Sequence, residues 1–196
     1  IFKGSIMPNK RSATLLVECL INQGVDNIYG VPGESYLSLL DALYDFNEKI
    51  RFISTRHESA ASFMAEAYGK LTGEAGICFV TRGPGATNAS IGVHTAMQNS
   101  SPMILFIGQI ARDMTEREAF QEIDYKAYFG SISKWVVQVN NADRLPEIIG
   151  RAFSVALSGR PGPVVVSLPE DMLRELTVTT AVSKIKKSCA HISTNQ

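Results

Sequence analysis

The stretch GICFVTRGPGATNASIGVHTAMQNSSPMILFIG, residues 76–108, decides the fold class. It opens with an apolar run at 76–81, closes with a continuous apolar run at 103–108, and has the pattern of a helix over 86–98 between them. Strands that are apolar throughout, rather than alternating, must be covered on both faces. Two such strands separated by a helix are typical of a right-handed crossover in a parallel sheet. The stretch therefore predicts an α/β protein.

The same alternation of helix and strand continues on both sides of this stretch. Apolar residues at helical spacing predict helices, and short apolar runs bounded by turn residues predict strands. The further helices are predicted at 15–20, 37–44, 60–71 and 145–156, and the further strands at 27–31, 50–54, 135–139 and 164–168. We predict a three-layer αβα domain whose six-stranded, mostly parallel sheet has helices on both faces.

The regular pattern covers residues 11–172, which we expect to form one domain. Residues 1–10 lack periodicity, and we expect them to be disordered or to derive from cloning. Residues 173–196 are rich in Ser, Thr and Lys, so we expect a linker or tail toward downstream domains. Residues 109–133 interrupt the pattern with polar and aromatic residues, which is more typical of a functional loop than of a plain connection.

Composition excludes several classes of protein. The 196 residues carry 19 Lys and Arg against 19 Asp and Glu, and a net charge of zero argues against nucleic acid as a partner. The longest apolar run, 103–107, is too short to span a membrane. Cys19, Cys78 and Cys189 are odd in number and far apart, so the sequence indicates neither a disulfide framework nor a zinc site. We expect a soluble, reduced, cytoplasmic protein.

Candidate functional residues follow from the sheet geometry. Ligands of open parallel sheets bind at the carboxyl ends of the strands, where helix N-termini also point. The rule selects four segments of this sequence, which are 32–34, 56–58, 82–88 and 108–121. Taken alone, each has an ordinary structural explanation. An acid such as Glu58 in a first helical turn opposes the helix dipole, His57 is more often structural than catalytic, and glycines serve turns.

Together, these segments resemble the N-terminal, pyrimidine-binding domain of the thiamine-diphosphate-dependent enzymes, particularly the large subunit of acetolactate synthases. The motifs occur in order as Pro32-Gly33-Glu34, Arg56-His57-Glu58, Gly83-Pro84-Gly85-Ala86-Thr87-Asn88, Gly108-Gln109 and Ala119-Phe120-Gln121-Glu122. The later segment 158–164, leading into Leu168-Pro169, is similar to the last strand of the same family. The resemblance covers residues 11–172.

The resemblance implies two catalytic positions. Glu58 matches the family glutamate that hydrogen-bonds the N1′ nitrogen of the aminopyrimidine and so promotes loss of the proton at C2 of the thiazolium. Such a carboxyl group needs a raised pKa, and an apolar wall formed by Ala60, Ala61 and Phe63 would raise it by desolvation. Gln121 matches a family glutamine that lies near the thiazolium and the bound substrate.

The resemblance also implies the cofactors and partners. The predicted cofactor-binding residues are Pro32, Gly33, Glu34, Glu58, Gly83, Pro84, Gly85 and Asn88. In the family, Mg²⁺ anchors the diphosphate through a Gly-Asp-Gly…Asn-Asn motif on another domain, and this motif is absent here. We therefore expect thiamine diphosphate as the cofactor and no metal ligand in this chain. A full-length enzyme could also bind FAD, and we expect the isolated fragment to be inactive. The implied partners are a small 2-keto acid and further copies in a homodimer or homotetramer.

Two positions depart from the acetolactate synthase pattern. Ser59-Ala60-Ala61 follows Glu58 where Gln-Gly-Gly is usual, and Arg82 stands where serine is usual. We interpret Arg82 as an exposed, solvated charge, with a contact to an acidic substrate as the alternative. The departures leave open a 2-keto-acid or acyl-CoA decarboxylase of the same family, and a non-catalytic binding or dimerisation module. A nicotinamide dehydrogenase is disfavoured, because Asn88 breaks the dinucleotide fingerprint.

Overall fold

Six parallel strands form the centre of the computed structural model, which describes residues 9–185. The remaining residues, 1–8 and 186–196, include Cys189 and much of the segments predicted as a disordered start and a tail, and these predictions lie outside the described residues. The helices are α1 (Ser12–Asn22), α2 (Leu37–Asp45), α3 (Glu58–Thr72), α4 (Pro84–Asn99), α5 (Tyr125–Phe129) and α6 (Leu145–Leu157). The strands are β1 (Lys10–Arg11), β2 (Asn27–Gly30), β3 (Arg51–Ser54), β4 (Gly76–Val80), β5 (Met103–Gln109), β6 (Trp135–Gln138), β7 (Pro163–Pro169) and β8 (Leu176–Thr177).

The main sheet has the order β3-β2-β4-β5-β7-β6, and every neighbouring pair is parallel. The predicted six-stranded sheet is therefore confirmed. The central strands β4, β5 and β7 are buried along their whole length, as apolar runs require. The edge strands β3 and β6 are only partly buried, because each has a neighbour on one side alone.

Helices cover both faces of the sheet, which confirms the three-layer arrangement. Helices α1, α2 and α6 pack on one face, and α3, α4 and α5 pack on the other. On the first face, Phe79 and Phe106 lie in register on β4 and β5 and stack with their ring centroids 4.5 Å apart. Burying each such side chain stabilises the fold by about 1.5–3 kcal/mol. Cys78 lies on the second face and is fully buried in the core.

Helices α3 and α4 pack against each other through small residues. A Cβ atom on Gly92 of α4 would lie 2.3 Å from Ser62 Oγ of α3, so only a glycine allows this approach. Each of these helices begins directly after a strand of the sheet, at Glu58 and Pro84. Their N-termini therefore meet at the carboxyl edge of the sheet, where the sequence predicted a site.

Two further features lie outside the regular pattern. The long connection at 109–133 contains a 3-10 turn (Arg112–Met114) and the short helix α5. Strands β1 and β8 pair antiparallel, with Lys10 opposite Thr177. The domain boundaries at residues 11 and 172 stay predictions. No helix within residues 9–185 is both long enough and apolar enough to cross a membrane.

Candidate functional site

Glu58 and Asn88 form the centre of the candidate site. Glu58 is the first residue of α3, and Asn88 lies in the second turn of α4. Asn88 Nδ2 donates a hydrogen bond to Glu58 Oε2 over 3.0 Å. The positive end of the α3 dipole favours a carboxylate at this position. The tertiary fold thus joins two residues that the sequence placed in separate motifs.

The neighbouring His57 has a structural role in this arrangement. Its Nδ1 atom accepts a hydrogen bond from the backbone N–H of Ser59 over 3.2 Å, and so caps the N-terminus of α3. Capping satisfies a backbone donor that the helix itself leaves unpaired. The cap fixes the first turn of α3, and with it the position of Glu58.

The prediction of an apolar wall beside Glu58 is wrong for Ala60 and Phe63. Ala61 is buried, but Ala60 is exposed and Phe63 is 39% exposed. The reason is the phase of α3, which turns Ala61 and Ala65 toward the sheet and Phe63 away from it. Glu58 itself is half-buried.

Two buried residues of other elements, Cys78 and Tyr36, form the floor beside Glu58. Burial, and to a smaller extent the charge of Glu58, raises the pKa of the Cys78 thiol on β4. Burial also raises the pKa of the Tyr36 hydroxyl, with smaller contributions from Cys78 and Glu58. Both groups are therefore neutral at pH 7, so the charge of Glu58 acts on a floor that carries no charge of its own.

Gly85 keeps the other carboxylate oxygen of Glu58 uncrowded. A Cβ atom on Gly85 would lie 3.4 Å from Glu58 Oε1 and 3.0 Å from Thr81 Cγ2. The contact with Thr81 would be tighter than carbon atoms normally make, whereas 3.4 Å from Oε1 is ordinary van der Waals contact. The missing side chain thus leaves space beside Oε1, whereas Oε2 is held by Asn88.

Gly33 brings the loop after β2 against the loop after β4. A Cβ atom on Gly33 would lie 2.5 Å from Thr81 Cβ, so the close approach requires glycine. Ser35 Oγ lies 2.8 Å from Thr81 Oγ1, and the backbone N–H of Arg82 donates to Ser35 Oγ over 3.3 Å. The flanking Pro32 and Glu34 are exposed.

Gln121 lies against the turn that starts α4. Gly83 has φ 60° and ψ −112°, a conformation that favours glycine. A Cβ atom on Gly83 would lie 2.6 Å from Gln121 Cβ. The backbone N–H of Gly83 also donates to the Tyr125 hydroxyl over 3.0 Å, and burial raises the pKa of Tyr125 to about 12. The structure thus joins the predicted Gly83 and Gln121 through a direct contact.

Arg82 is not the solvated charge that the sequence predicted. Its side chain is only 15% exposed, and Nη1 lies 3.2 Å from Glu170 Oε2 in an ion pair. Its Nε atom donates to the carbonyl of Phe120 over 3.2 Å. Glu170 directly follows β7, whose position beside β5 could not be read from the spacing of motifs. The prediction failed because it considered Arg82 without the strand that brings a carboxylate to it.

Sequence reasoning also missed Tyr125 and Thr81 as parts of this site. Thr81 directly follows β4 and contacts the Gly33 loop, as described above. Tyr125 lies in the aromatic stretch of residues 109–133. The interpretation of that stretch as a functional loop was the only sequence observation that could have indicated Tyr125. No spacing rule indicates that its hydroxyl meets Gly83, because that contact depends on the tertiary fold.

The side chains at this edge suit a ligand that forms hydrogen bonds better than they suit a phosphate group. Glu58 offers a carboxyl oxygen, Asn88 an amide, and Gly33 and Gly85 close backbone approach. A carboxylate at the centre repels a phosphate group. Within residues 9–185, no group of three or more His, Cys, Asp or Glu side chains is arranged to hold a metal ion. A ligand that both donates and accepts hydrogen bonds fits the carboxyl oxygens and the amide.

Comparison with known proteins identifies a family. The family model described as "Thiamine pyrophosphate enzyme, N-terminal TPP binding domain" matches residues 10–128. Acetolactate synthase of Bacillus subtilis is 38% identical over 175 residues, which are 89% of this chain and 30% of that protein. Acetolactate synthase isozyme 3 large subunit of Escherichia coli is 42% identical over 161 residues, 82% of this chain and 28% of that protein.

A eukaryotic relative has a similar degree of identity. The mitochondrial acetolactate synthase catalytic subunit of Saccharomyces cerevisiae is 40% identical over 155 residues, 79% of this chain and 22% of that protein. The chain therefore spans less than a third of the length of each of these relatives. The family match covers more than half of the chain and includes Glu58, Asn88 and Gln121. The chain belongs to the thiamine pyrophosphate enzyme family and carries its N-terminal TPP binding domain.

Proposed function

We propose that this domain forms the aminopyrimidine side of a thiamine diphosphate site in a 2-keto-acid carboligase of the acetolactate synthase type. The observation that carries the proposal is the Glu58–Asn88 pair beside the space left by Gly85. The names of the relatives support the reaction class. The substrate in this proposal is a small 2-keto acid such as pyruvate.

Each residue at the site has a defined task in this proposal. When bound, thiamine diphosphate supplies the nucleophilic carbon that attacks the 2-keto acid. Glu58 would exchange a proton with a ring nitrogen of the cofactor. Because the amide N–H of Asn88 donates to Oε2, the oxygen left to exchange that proton is Oε1, which lies beside Gly85. Asn88 therefore orients the carboxyl group, and this fixed orientation is what a general acid requires.

The predicted cofactor residues divide into two groups, according to whether they allow close backbone approach or lie exposed. Gly33, Gly83 and Gly85 allow close backbone approach, whereas the exposed Pro32, Glu34 and Pro84 line the outer rim of the site. Gln121 contacts Gly83, and we assign it to the substrate end of the cofactor because it matches the family glutamine. We place the diphosphate, its Mg²⁺ ion and any FAD on residues outside this chain, so the chain alone is expected to be inactive.

We also propose that copies of the domain associate as a homodimer or homotetramer. Helices α3 and α4 carry exposed apolar side chains on their outer faces, among them Leu71, 85% exposed, and Ile91, 52% exposed. Contiguous apolar patches mark association surfaces, and we propose that these side chains form one. A second copy is the occupant we assign, because closed symmetric pairs are the commonest assembly of soluble proteins. The free thiols of Cys19 and Cys78 agree with a reducing, cytoplasmic location.

The substitution Glu58→Gln in the intact enzyme that carries this chain tests the proposal. Glutamine keeps the shape of the side chain but cannot donate the carboxyl proton. We expect turnover of pyruvate to fall by about 10²–10⁴-fold, the usual contribution of a general acid or base. Glu66→Gln is the matched control, since Glu66 lies on the same helix and bonds Asn99 and Ser101 instead. Near-normal turnover of Glu58→Gln would refute the assignment of Glu58.

A decarboxylase of 2-keto acids or acyl-CoA is the second candidate. Ser59-Ala60-Ala61 after Glu58 and Arg82 before Gly83 are the observations that support it, because both differ from the acetolactate synthase pattern. Product analysis with pyruvate as the sole substrate separates the two reactions. A carboligase yields acetolactate, whereas a decarboxylase yields acetaldehyde.

A further inference from the structure

Three loops converge on the side chain and backbone of Arg82. The backbone N–H donates to Ser35 of the loop after β2, over 3.3 Å. The guanidinium donates through Nε to the carbonyl of Phe120 and through Nη1 to the carboxylate of Glu170, each over 3.2 Å. Arginine suits such a position, because its planar fork can serve two acceptors in fixed directions, which a lysine ammonium cannot do equally well.

The segment that Arg82 holds is the one that carries Gln121. Phe120 precedes Gln121, which adopts a positive φ of 66°. Glu122 stabilises the loop internally, because its carboxylate accepts hydrogen bonds from the backbone N–H groups of Glu116 and Ala119. Those bonds hold the loop together but do not fix it to the sheet. The bond from Arg82 ties the Phe120 end of the segment to the end of β4, because Arg82 directly follows Thr81. On the far side of Gln121, Gln109 of β5 donates to the carbonyl of Ile123 over 3.0 Å.

The charge of Arg82 is already neutralised by protein. Its side chain is 15% exposed and that of Glu170 is 30% exposed, so this ion pair is better shielded than a fully solvated one. Hydrogen bonds between charged groups are stronger than those between neutral groups. The guanidinium is therefore poorly placed to bind an acidic substrate directly, and its contacts favour a role in positioning.

We propose that Arg82 is a positioning residue, which fixes Gln121 at the edge of the cofactor site by bridging the Phe120 carbonyl and the Glu170 carboxylate. This inference rests on the proposed function for the role of Gln121 in turnover. The bridge itself is independent of that function. Its expected consequence is that loss of the guanidinium loosens the segment from Ala119 to Glu122 and leaves the Glu58–Asn88 pair in place.

Amide hydrogen exchange of the chain, measured by NMR for Arg82→Ser, tests the bridge. The backbone N–H groups of Ala119 and Glu122 are hydrogen-bonded within the loop, so their exchange reports its opening. We expect both to exchange about tenfold faster in the variant, since a hydrogen bond to a charged group is lost. Arg144→Ser is the matched control, because Arg144 pairs with Glu147 on α6, and it should leave both rates unchanged. Unchanged exchange in Arg82→Ser would overturn the proposal.

Two further variants keep the test decisive if Arg82→Ser folds poorly. Glu170→Gln keeps an acceptor for the guanidinium but removes the ion pair, so it should produce a smaller increase in exchange. Arg82→Lys keeps the charge and should restore only part of the protection, because it cannot bridge both acceptors equally well. Full protection in both variants would overturn the bridge.

Kinetics of the intact enzyme separate this inference from the proposed function. In Arg82→Ser we expect a several-fold lower kcat, with the half-saturating concentration of thiamine diphosphate unchanged. A merely structural role would weaken cofactor binding together with kcat, and that result would count against positioning. Gln121→Ala provides the separate test of the proposed function. Normal turnover in Gln121→Ala would refute the role of Gln121, while faster exchange in Arg82→Ser would still support the bridge.

Discussion

The substitution Gly83→Ala measures how closely the turn before α4 approaches Gln121. A Cβ atom at this position would lie 2.6 Å from Gln121 Cβ and 3.0 Å from the Gln121 carbonyl oxygen. With φ 60° and ψ −112°, Gly83 lies outside the left-handed helical region, in backbone space that other residues rarely adopt, which costs an alanine about 1–3 kcal/mol. Overpacking of this kind costs about 1–3 kcal/mol more. We therefore expect a loss of about 2–6 kcal/mol in the free energy of unfolding.

Gly159→Ala is the matched control for the backbone cost. Gly159 also has a positive φ, 58°, but a Cβ atom there would meet no atom within 4 Å. We expect it to cost only about 1–2 kcal/mol. Urea unfolding followed by the fluorescence of Trp135, the only tryptophan, gives both values, and the m-values should match the wild type. Equal losses in the two variants would show that Gly83 does not touch Gln121 and would refute the geometry of the site.

Two further substitutions test the packing and the charges around the site. Gly92→Ala should lower the free energy of unfolding by about 1–3 kcal/mol, because its Cβ would meet Ser62 Oγ at 2.3 Å; an unchanged Tm would contradict the close packing of α3 and α4. Asp171→Asn tests the Arg112–Asp171 ion pair. Partial burial raises the pKa of Asp171, but the hydrogen bonds from Arg112 lower it more, so the pKa falls below its ordinary value of 3.8. A lowered folded-state pKa stabilises the protein above the unfolded value, and this stability is lost as the pH falls through the folded value. The variant should therefore be less stable than the wild type at pH 7, with a difference that narrows below about pH 4; a constant difference in urea unfolding across this range would contradict the assignment.

The fold could be predicted because its signals are local. The strands β4, β5 and β7 are continuous apolar runs, and the residues between them carry the helical period. The end of α3 is also marked locally, because Gly73 adopts the left-handed conformation, with φ 69°, that glycine favours. The edge strands β3 and β6 were predicted as strands, but their partial exposure depends on strand order, which periodicity does not contain.

The site could be predicted only as a set of positions. The strand-end rule selected the segments of Glu58 and Asn88, but the hydrogen bond between them depends on how α3 packs against α4. The Arg82–Glu170 pair was missed for a similar reason, because it joins the ends of two strands that are not consecutive in the chain. A charged residue in a loop has no periodicity that would indicate its partner.

One error could have been avoided from the sequence. Ala61, Ala65 and Gly69 recur every four residues and mark the buried face of α3. Phe63 falls outside that series, so helical periodicity already places it on the outer face. The prediction of an apolar wall at Phe63 relied on proximity along the chain instead of on the helix period.

Exchange of the C2 hydrogen of thiamine diphosphate tests the central claim most directly. It is measured by proton NMR in D₂O with the intact enzyme that carries this chain, in the wild type, Glu58→Gln and Glu66→Gln. Because Glu58 is held by Asn88 with Oε1 beside Gly85, we predict slow exchange in Glu58→Gln alone. Exchange in Glu58→Gln as fast as in the wild type would contradict the account.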